Sequence, residues 1–239
     1  MATEIIDSRP SSSKQSVYFR LREMILVGEM APTAKVSEPE LSVLLGVGRS
    51  PVREALLRLE QEGFVVRGSS GRVSVAPLET TELQQLYVVR ANLEGLATRL
   101  AAARLRTIDL EEMASALQAM RSFIANGEFR KAIEAGRAFH GVIHRECENR
   151  PLIDALVHLE GKIDRFRYFA ASFDSYDIKR VEEHGRILDA LYQRDPPAAE
   201  AEMIFHINQS AEALMDNIRR TRADQHSPGT QDLTEKDNS

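Results

Sequence analysis

The chain has 239 residues, 43% of them hydrophobic and 28% charged, a composition ample for the cores of two folded domains. It has no apolar run near the roughly eighteen residues that a membrane span needs, and its N-terminus lacks the basic and hydrophobic parts of a signal peptide. Because the single cysteine, Cys147, cannot form an internal disulfide, the sequence predicts a protein of the reducing cytoplasm.

Both ends of the chain are predicted to be disordered. Residues 1–12 and 223–239 are mostly polar, and such segments bury too little apolar surface to offset the entropy lost on ordering. We therefore expect two folded domains between a flexible N-terminus and a disordered tail, at residues 13–77 and 78–222.

The first domain contains a predicted helix, a tight turn and a second helix. Ser37 and Glu40 have the spacing of a capping box, which starts the first of these helices. The glycines of Gly46-Val47-Gly48 then force a turn. Ser50 is the predicted N-cap of the second helix, with Pro51 at its first position, where a missing N–H is tolerated.

The second helix has one apolar and one polar face. Its apolar residues recur at helical spacing and form the predicted inward stripe: Val52, Ala55, Leu56 and Leu59. Arg49, Ser50 and Arg53 are left on the outward face. Gly63 ends the helix, and residues 64–75 follow as two short strands joined by a turn of small residues.

A helix-turn-helix followed by such a β-ribbon, or wing, is typical of DNA-binding domains. The start of the second helix enters the major groove, where an arginine can bind guanine through two hydrogen bonds. Arg49 and Arg53, with Ser50 between them, are therefore candidate DNA contacts. Gly71 and Arg72, at the tip of the wing, can approach the minor groove or the phosphates. The alternative that Arg72 is an ordinary solvated charge stays open.

The net charge of −5 agrees with DNA binding only when it is divided between the two domains. Residues 1–76 carry a charge near +1, and the remainder of the chain carries about −6. The contact with DNA must therefore come from a local cluster of arginines rather than from bulk charge.

The first domain resembles the GntR family of bacterial transcription regulators. The resemblance covers about sixty residues and includes the stretches Val36-Ser37-Glu38-Pro39-Glu40-Leu41, Gly46-Val47-Gly48-Arg49-Ser50-Pro51-Val52-Arg53-Glu54-Ala55-Leu56, Arg58-Leu59 and Glu62-Gly63-Phe64-Val65. Pro39 stands where the family often has an arginine, so one DNA contact of the relatives is expected to be absent. Gly48 replaces the turn serine of the family, which should loosen the turn slightly.

The second domain is predicted to be an all-α antiparallel bundle, so the fold class is mainly α. Amphipathic patterns separated by caps and short breaks predict six helices, at residues 80–105, 108–125, 128–148, 151–174, 177–194 and 196–222.

Three histidines project from mainly apolar faces of three different predicted helices: His140, His184 and His206. A lone histidine on such a face is usually a hydrogen-bonded core residue, and this is one interpretation of each. However, three buried rings each need a polar partner, whereas one metal ion would satisfy all three. The residues alone leave the two interpretations open.

The second domain resembles the helical ligand-binding domain, of the FCD type, that the FadR branch of the GntR family carries. The resemblance rests on Arg90-Ala91-Asn92-Leu93-Glu94, Phe139-His140, Glu183-His184-Gly185-Arg186-Ile187-Leu188-Asp189-Ala190 and His206-Ile207. Six bundle helices rather than seven favour its VanR-like subgroup. In relatives of this pattern, an aspartate and three histidines hold a divalent metal, often zinc or nickel. The resemblance therefore implies that His140, His184 and His206 bind such an ion.

The aspartate of that motif is replaced here by Gly136. Zinc accepts three imidazoles, with water or another ligand in the open position, so a site of three histidines is still expected. With one carboxylate fewer, we expect weaker metal binding and room for an acidic effector to coordinate directly. His144 lies one turn after His140, on roughly the same face, and is a candidate for effector binding.

Arg90 places a full charge on the inward face of its helix, and a buried charge needs a counter-ion. Glu94, one turn further on, is the internal partner that the spacing predicts. In the functional interpretation, Arg90 receives the carboxylate of a small organic acid above the metal, as regulators of this type commonly do. Arg165 and Arg167 are further candidates, of which we choose Arg167, although periodicity does not decide which of the two faces inward.

The resemblance implies a ligand-responsive transcription regulator, expected to be a repressor and not an enzyme. We expect a homodimer that binds palindromic operator DNA and responds to a small carboxylate effector, with the helix at residues 78–94 as transmitter. One alternative is a metal sensor, in which the divalent ion is itself the signal. Another is a zinc hydrolase, but no glutamate stands at a spacing that marks a general base.

Overall fold

The computed structural model describes residues 13–170 and 178–226. Its first part contains α1 (Ser13–Leu26), β1 (Lys35–Val36), α2 (Glu38–Leu45), α3 (Arg49–Gln61), β2 (Val65–Arg67) and β3 (Val73–Val75). Its second part contains α4 (Thr80–Ala102), α5 (Thr107–Ala125), α6 (Phe129–Glu146), α7 (Arg150–Phe169), α8 (Lys179–Tyr192) and α9 (Pro196–His226). The predicted fold class, a winged helix-turn-helix followed by a helical bundle, is confirmed.

The first core lies between α1, α3 and a small antiparallel sheet. The predicted inward stripe of α3 is buried throughout: Val52, Ala55, Leu56 and Leu59. Strand order in the sheet is β1-β3-β2, so the central strand is the second strand of the wing. The sequence analysis missed β1, a strand of two residues that pairs Lys35 with Ser74 and Val36 with Val73. A strand this short is too brief to show an alternating pattern.

The turn between α2 and α3 forms as predicted, but the start of α3 differs from the prediction. Gly46 has the left-handed φ of +64° that closes α2. The N-cap of α3 is Gly48 and not Ser50, because the extended backbone of Gly48 already completes the turn and Arg49 is the first helical residue. Pro51 is therefore third in the helix, where its missing N–H still has no intrahelical carbonyl to bind.

The second core lies inside the bundle, where the described residues form the six predicted helices. The contact between α4 and α9 is especially close, because a Cβ at Gly95 would lie 2.7 Å from Cγ1 of Ile204. Helix α9 extends to His226, four residues beyond its predicted end. Residues 171–177, where one predicted helix ends and the next begins, lie outside the described residues. No described helix is both long and apolar enough to span a bilayer.

Helix α7 joins the bundle to the winged domain through Arg165. This side chain is 4% exposed, and its guanidinium donates to the carbonyls of Gly63 at 2.6 Å, Ala76 at 2.6 Å and Pro77 at 3.2 Å. Gly63 follows α3, whereas Ala76 and Pro77 follow the last strand of the wing. A single arginine of the bundle therefore contacts the ends of both DNA-binding elements.

Candidate metal centre and DNA-binding surface

The structure brings the three predicted histidines together inside the bundle. His140 lies on α6, His184 on α8 and His206 on α9, and one ring nitrogen of each lies within 4.8 Å of the others. All three side chains are buried. A cluster of three imidazoles at this separation can hold one divalent ion.

Hydrogen bonds fix the orientation of two of these rings. The Nδ1 of His184 lies 2.7 Å from the carbonyl oxygen of Arg180, and the Nδ1 of His206 lies 2.7 Å from Oε2 of Glu183. A carbonyl oxygen only accepts, so Nδ1 of His184 carries the proton and Nε2 carries the free lone pair. That Nε2 is buried and has no hydrogen-bond partner among the described residues. A metal ion would supply the missing partner, so the ring fits the predicted role.

His140 and His144 both approach the buried carboxylate of Glu94. The Nδ1 of His140 is 3.5 Å from Oε2 of Glu94 and makes no hydrogen bond within the described structure. The Nε2 of His144 is only 2.8 Å from the same oxygen. His144 therefore points at Glu94 and does not join the three-histidine cluster, although it lines the adjoining cavity.

Burial and neighbouring charge set the protonation of this region. Burial lowers the pKa of His184 to about 3 and holds the pKa of His206 well below its usual value. Burial raises the pKa of Glu94, but His140, His144 and Arg90 outweigh it and hold that pKa well below its usual range. Burial also lowers the pKa of His144, yet the Glu94 carboxylate raises it on balance. Two of the cluster histidines are thus neutral near pH 7, the form that binds metal.

A cavity of about 340 Å³ adjoins the histidine cluster. This volume is in the range of pockets that bind small molecules. Four of the residues named from the sequence line the cavity beside the three histidines: Arg90, Gly136, His144 and Arg167. The position of the missing family aspartate is therefore part of the cavity wall.

Arg90 forms the internal ion pair that the sequence predicted, and its side chain also lines the cavity. Its side chain is 5% exposed, and Nη2 lies 3.1 Å from Oε1 of Glu94 and 3.4 Å from Oε1 of Glu160. The predicted internal pair therefore exists. Its Nε is buried without a hydrogen-bond partner in the described residues, while the side chain lines the cavity. The pair with Glu94 holds the guanidinium in place and leaves a donor for a ligand.

The structure decides between Arg165 and Arg167. Residues two apart on a helix are separated by about 200°, so they face nearly opposite sides. Arg167 lines the cavity, with Nη1 3.0 Å from Oδ1 of Asp164, whereas Arg165 faces the winged domain. Arg165 is therefore wrong as a candidate for effector binding, because its donors are bound to backbone carbonyls of the other domain.

Several polar residues of the cavity were not predicted from the sequence, among them Arg180 and Ser210. The Nη1 of Arg180 donates to Oγ of Ser210 at 3.2 Å, and both residues line the cavity. A signal was available for Arg180, since it precedes His184 by one helical turn and so lies on the same side of α8.

The predicted DNA contacts on α3 lie on its exposed first turns. Arg49, Ser50 and Arg53 are all exposed. The guanidinium of Arg53 donates from Nε and Nη2 to Oε2 of Glu38, each at 3.1 Å, which raises the pKa of Arg53. This pair is open to water, so a DNA base or phosphate can compete for the guanidinium at little cost.

The wing tip is held by Arg67. Its Nη1 donates to the carbonyl of Gly71 at 3.1 Å, and its Nη2 lies 3.0 Å from Oε2 of Glu60 on α3. Gly71 has a φ of +77°, a conformation that favours glycine, and Arg72 beside it is exposed. Arg67 therefore braces the wing, which leaves Arg72 as the arginine at the tip.

Two family models match successive parts of the chain. Residues 13–75 match the gntR family of bacterial regulatory proteins, and residues 85–209 match the FCD domain. An uncharacterised HTH-type transcriptional regulator in an unstable DNA locus of Streptomyces ambofaciens is 31% identical over 234 residues, spanning 91% of this chain and 89% of that protein. The HTH-type transcriptional repressor RspR of Escherichia coli is 27% identical over 211 residues, spanning 88% of this chain and 92% of RspR. The structure of McbR/YncC from E. coli has the same fold, with a TM-score of 0.69 at 22% identity, covering 86% of this chain and 98% of that one.

Proposed function

Since the chain belongs to the GntR family of bacterial transcription regulators and carries an FCD domain, we propose that it is a cytoplasmic repressor whose affinity for DNA changes when a small organic acid binds beside a metal ion. The chain is a DNA-binding regulator and not an enzyme. The six bundle helices among the described residues support assignment to the VanR-like subgroup.

The observation that carries this proposal is the group of three buried imidazoles beside a cavity that Arg90 also lines. His140, His184 and His206 would hold zinc or, alternatively, nickel. Such an ion would supply open coordination positions that accept a carboxylate oxygen. Gly136 leaves one position free that a carboxylate of the protein occupies in relatives, so the acid itself is the expected ligand there. Arg90 would bind its carboxylate.

We propose a homodimer as the DNA-binding form. One recognition helix per chain reads one half-site, so a symmetric pair of chains reads a palindrome. An exposed apolar stripe on α4, formed by Val88, Val89 and Leu96, supports this assembly. The opposite face of α4 is packed inside the bundle, so the stripe is available to a second copy.

We propose α7 as the element that links the cavity to the DNA-binding domain. The sequence suggested α4, whose N-terminus follows the wing. Helix α7 makes the more direct connection, since Glu160 and Arg167 line the cavity while Arg165 binds carbonyls after α3 and after the wing. An effector changes DNA affinity only if it binds the two arrangements of the domains unequally. A small rotation of α7 would change the contacts of Glu160 and Arg167 in the cavity together with those of Arg165 at the winged domain. The two arrangements of the domains would then bind the effector unequally.

Selection of binding sequences from random duplex DNA tests the proposed operator and assembly. The selected sequence is expected to be a palindrome. Arg53→Ala should then weaken binding to it by about tenfold or more, because the arginine at the start of α3 reaches base edges. Binding would be measured by fluorescence anisotropy at one fixed salt concentration, since phosphate contacts depend strongly on salt.

Arg150→Ala is a suitable control for that measurement. Arg150 pairs with Asp154 on an exposed turn of the bundle, with Nε and Oδ1 2.8 Å apart, so the variant removes an arginine without touching α3. Its affinity for the selected DNA should equal that of the parent. Equal affinity of Arg53→Ala and the parent would remove Arg53 from the proposed interface.

A further inference from the structure

We propose that the effector is a short dicarboxylate, and that Tyr87, Arg167 and Arg180 form a second anion-binding subsite in the cavity beside the histidine cluster. This inference rests on the proposed function, in which the cavity receives an organic acid. One carboxylate would lie at Arg90 and the three histidines, and the other at the subsite.

Three helices supply the arginines in and beside this subsite. Arg90 lies on α4, Arg167 on α7 and Arg180 on α8, and all three line the same cavity as Tyr87. Arg167 is within hydrogen-bonding reach of the Tyr87 hydroxyl. The guanidinium carbon of Arg90 is 5.7 Å from the centre of the Tyr87 ring. The guanidinium groups of Arg90 and Arg167 therefore both lie close to one buried phenol.

The arginines around Tyr87 set the sign of the electrostatic potential at this point. The side chain is 2% exposed, and burial by itself raises the pKa of a phenol. Arg167, Arg90 and Arg180 outweigh this effect and lower the pKa of Tyr87 below its usual value. A positive potential that overcomes the cost of burial also favours the carboxylate of a ligand.

Acidic side chains of the region already pair with several of these arginines. Among the described residues, five arginines and two acidic residues line the cavity, and the buried carboxylate of Glu94 lies against Arg90. Arg137 and Arg167 share one carboxylate, that of Asp164, at 2.7 Å and 3.0 Å, and Glu160 is paired with Arg90. A divalent ion held by neutral histidines would add two further charges. A ligand with a carboxylate at each end would contact Arg90 and the ion at one end, and Arg167 and Arg180 at the other.

The polar groups near the subsite are suited to a carboxylate. Arg180 is held by its hydrogen bond to Ser210, a buried side chain that also lines the cavity, so the guanidinium is oriented before a ligand arrives. The hydroxyl of Tyr87 is a further donor. Guanidinium groups bind carboxylates through two parallel hydrogen bonds, which gives both affinity and orientation.

Matched pairs of acids test the subsite. Binding of succinate and butyrate, and of glutarate and valerate, to the full-length zinc-loaded protein would be measured by titration calorimetry. Each pair has one carbon-chain length and differs by one carboxylate. The dicarboxylate is expected to bind at least about tenfold more tightly, as a charge-assisted hydrogen bond would give.

Variants locate the second carboxylate. Arg180→Gln should remove most of the preference for succinate, and Tyr87→Phe should reduce it while keeping the ring. Arg186→Gln is the matched control, because Arg186 lies on the same helix and pairs with Glu202 outside the cavity. It should keep the full preference.

Three results would overturn the inference, and they are distinguishable. Equal affinity for the two acids of a pair, or a preference that survives Arg180→Gln unchanged, would exclude the second subsite and leave the proposed acid-responsive function intact. Failure of every acid to bind a protein that carries about one zinc per chain would exclude the proposed effector site together with the subsite.

Discussion

His184→Ala is expected to abolish stable zinc binding, the largest effect of any single substitution that the structure suggests. The variant removes one of three ligands and leaves two imidazoles around a buried space. Mutation of a residue that only hydrogen-bonds to a metal ligand lowers metal affinity by about ten- to a hundredfold. Loss of a ligand itself should therefore lower the affinity by at least about a hundredfold. Elemental analysis of the purified parent should find about one zinc or nickel per chain, and the variant should contain little.

His158→Ala is the matched control for this experiment. His158 is an exposed histidine on α7, away from the cluster, so its loss should leave the metal content unchanged. Absence of metal from the parent as well would mean that the three histidines are core residues, with Arg90 as the main determinant of the cavity. DNA affinity that follows free zinc and ignores organic acids would instead favour a metal sensor.

Arg90→Met is expected to lower the free energy of unfolding by about 3–5 kcal/mol. The reason is the carboxylate of Glu94, which has no exposed surface and would lose the guanidinium 3.1 Å away. Removing one partner of a buried ion pair leaves the other charge without compensation. His144 would still contact Glu94 at 2.8 Å, so we expect a variant that is less stable but still folded. Urea denaturation of the metal-free parent and variant, monitored by circular dichroism, gives the difference between their free energies of unfolding.

Arg104→Met provides the comparison for this loss of stability. Arg104 pairs with Glu148 at 3.2 Å, but both side chains are largely exposed. Exposed ion pairs contribute about 0–1 kcal/mol, so this variant should unfold close to the parent. If Arg90→Met lowered the free energy of unfolding as little as Arg104→Met, another group would have to compensate the charge of Glu94. The role of Arg90 would then be ligand binding alone.

Elements with a strong local signal were predictable from the sequence. The apolar residues of α3 are spaced for one face of a helix, and all four are buried in the structure. The glycines at 46 and 63 mark the ends of α2 and α3 with a positive φ, as expected of residues without a Cβ. The error at Ser50 concerns one residue at a helix start, where a glycine with extended backbone serves as the cap instead.

Part of the candidate site was predictable for a different reason. Histidines on apolar faces are conspicuous, because each buried ring needs a partner, and a resemblance to a known family named the same three positions. Arg180 and Ser210 were not found, since a polar residue near the edge of a helix face is ordinarily solvent-exposed. Their meeting in one cavity depends on how α8 and α9 pack against α4 and α7.

The sequence by itself determined the order of the two domains, the six bundle helices found among the described residues, and the inward placement of the three histidines. These features follow from periodicity, capping residues and short motifs, all of which act over a few residues. Only the tertiary structure decided that Arg167 faces the cavity and Arg165 the winged domain, and that Arg180 joins Arg90 and Arg167 around Tyr87. Such choices depend on the rotation of each helix about its axis, which is set by packing against neighbours distant in the sequence.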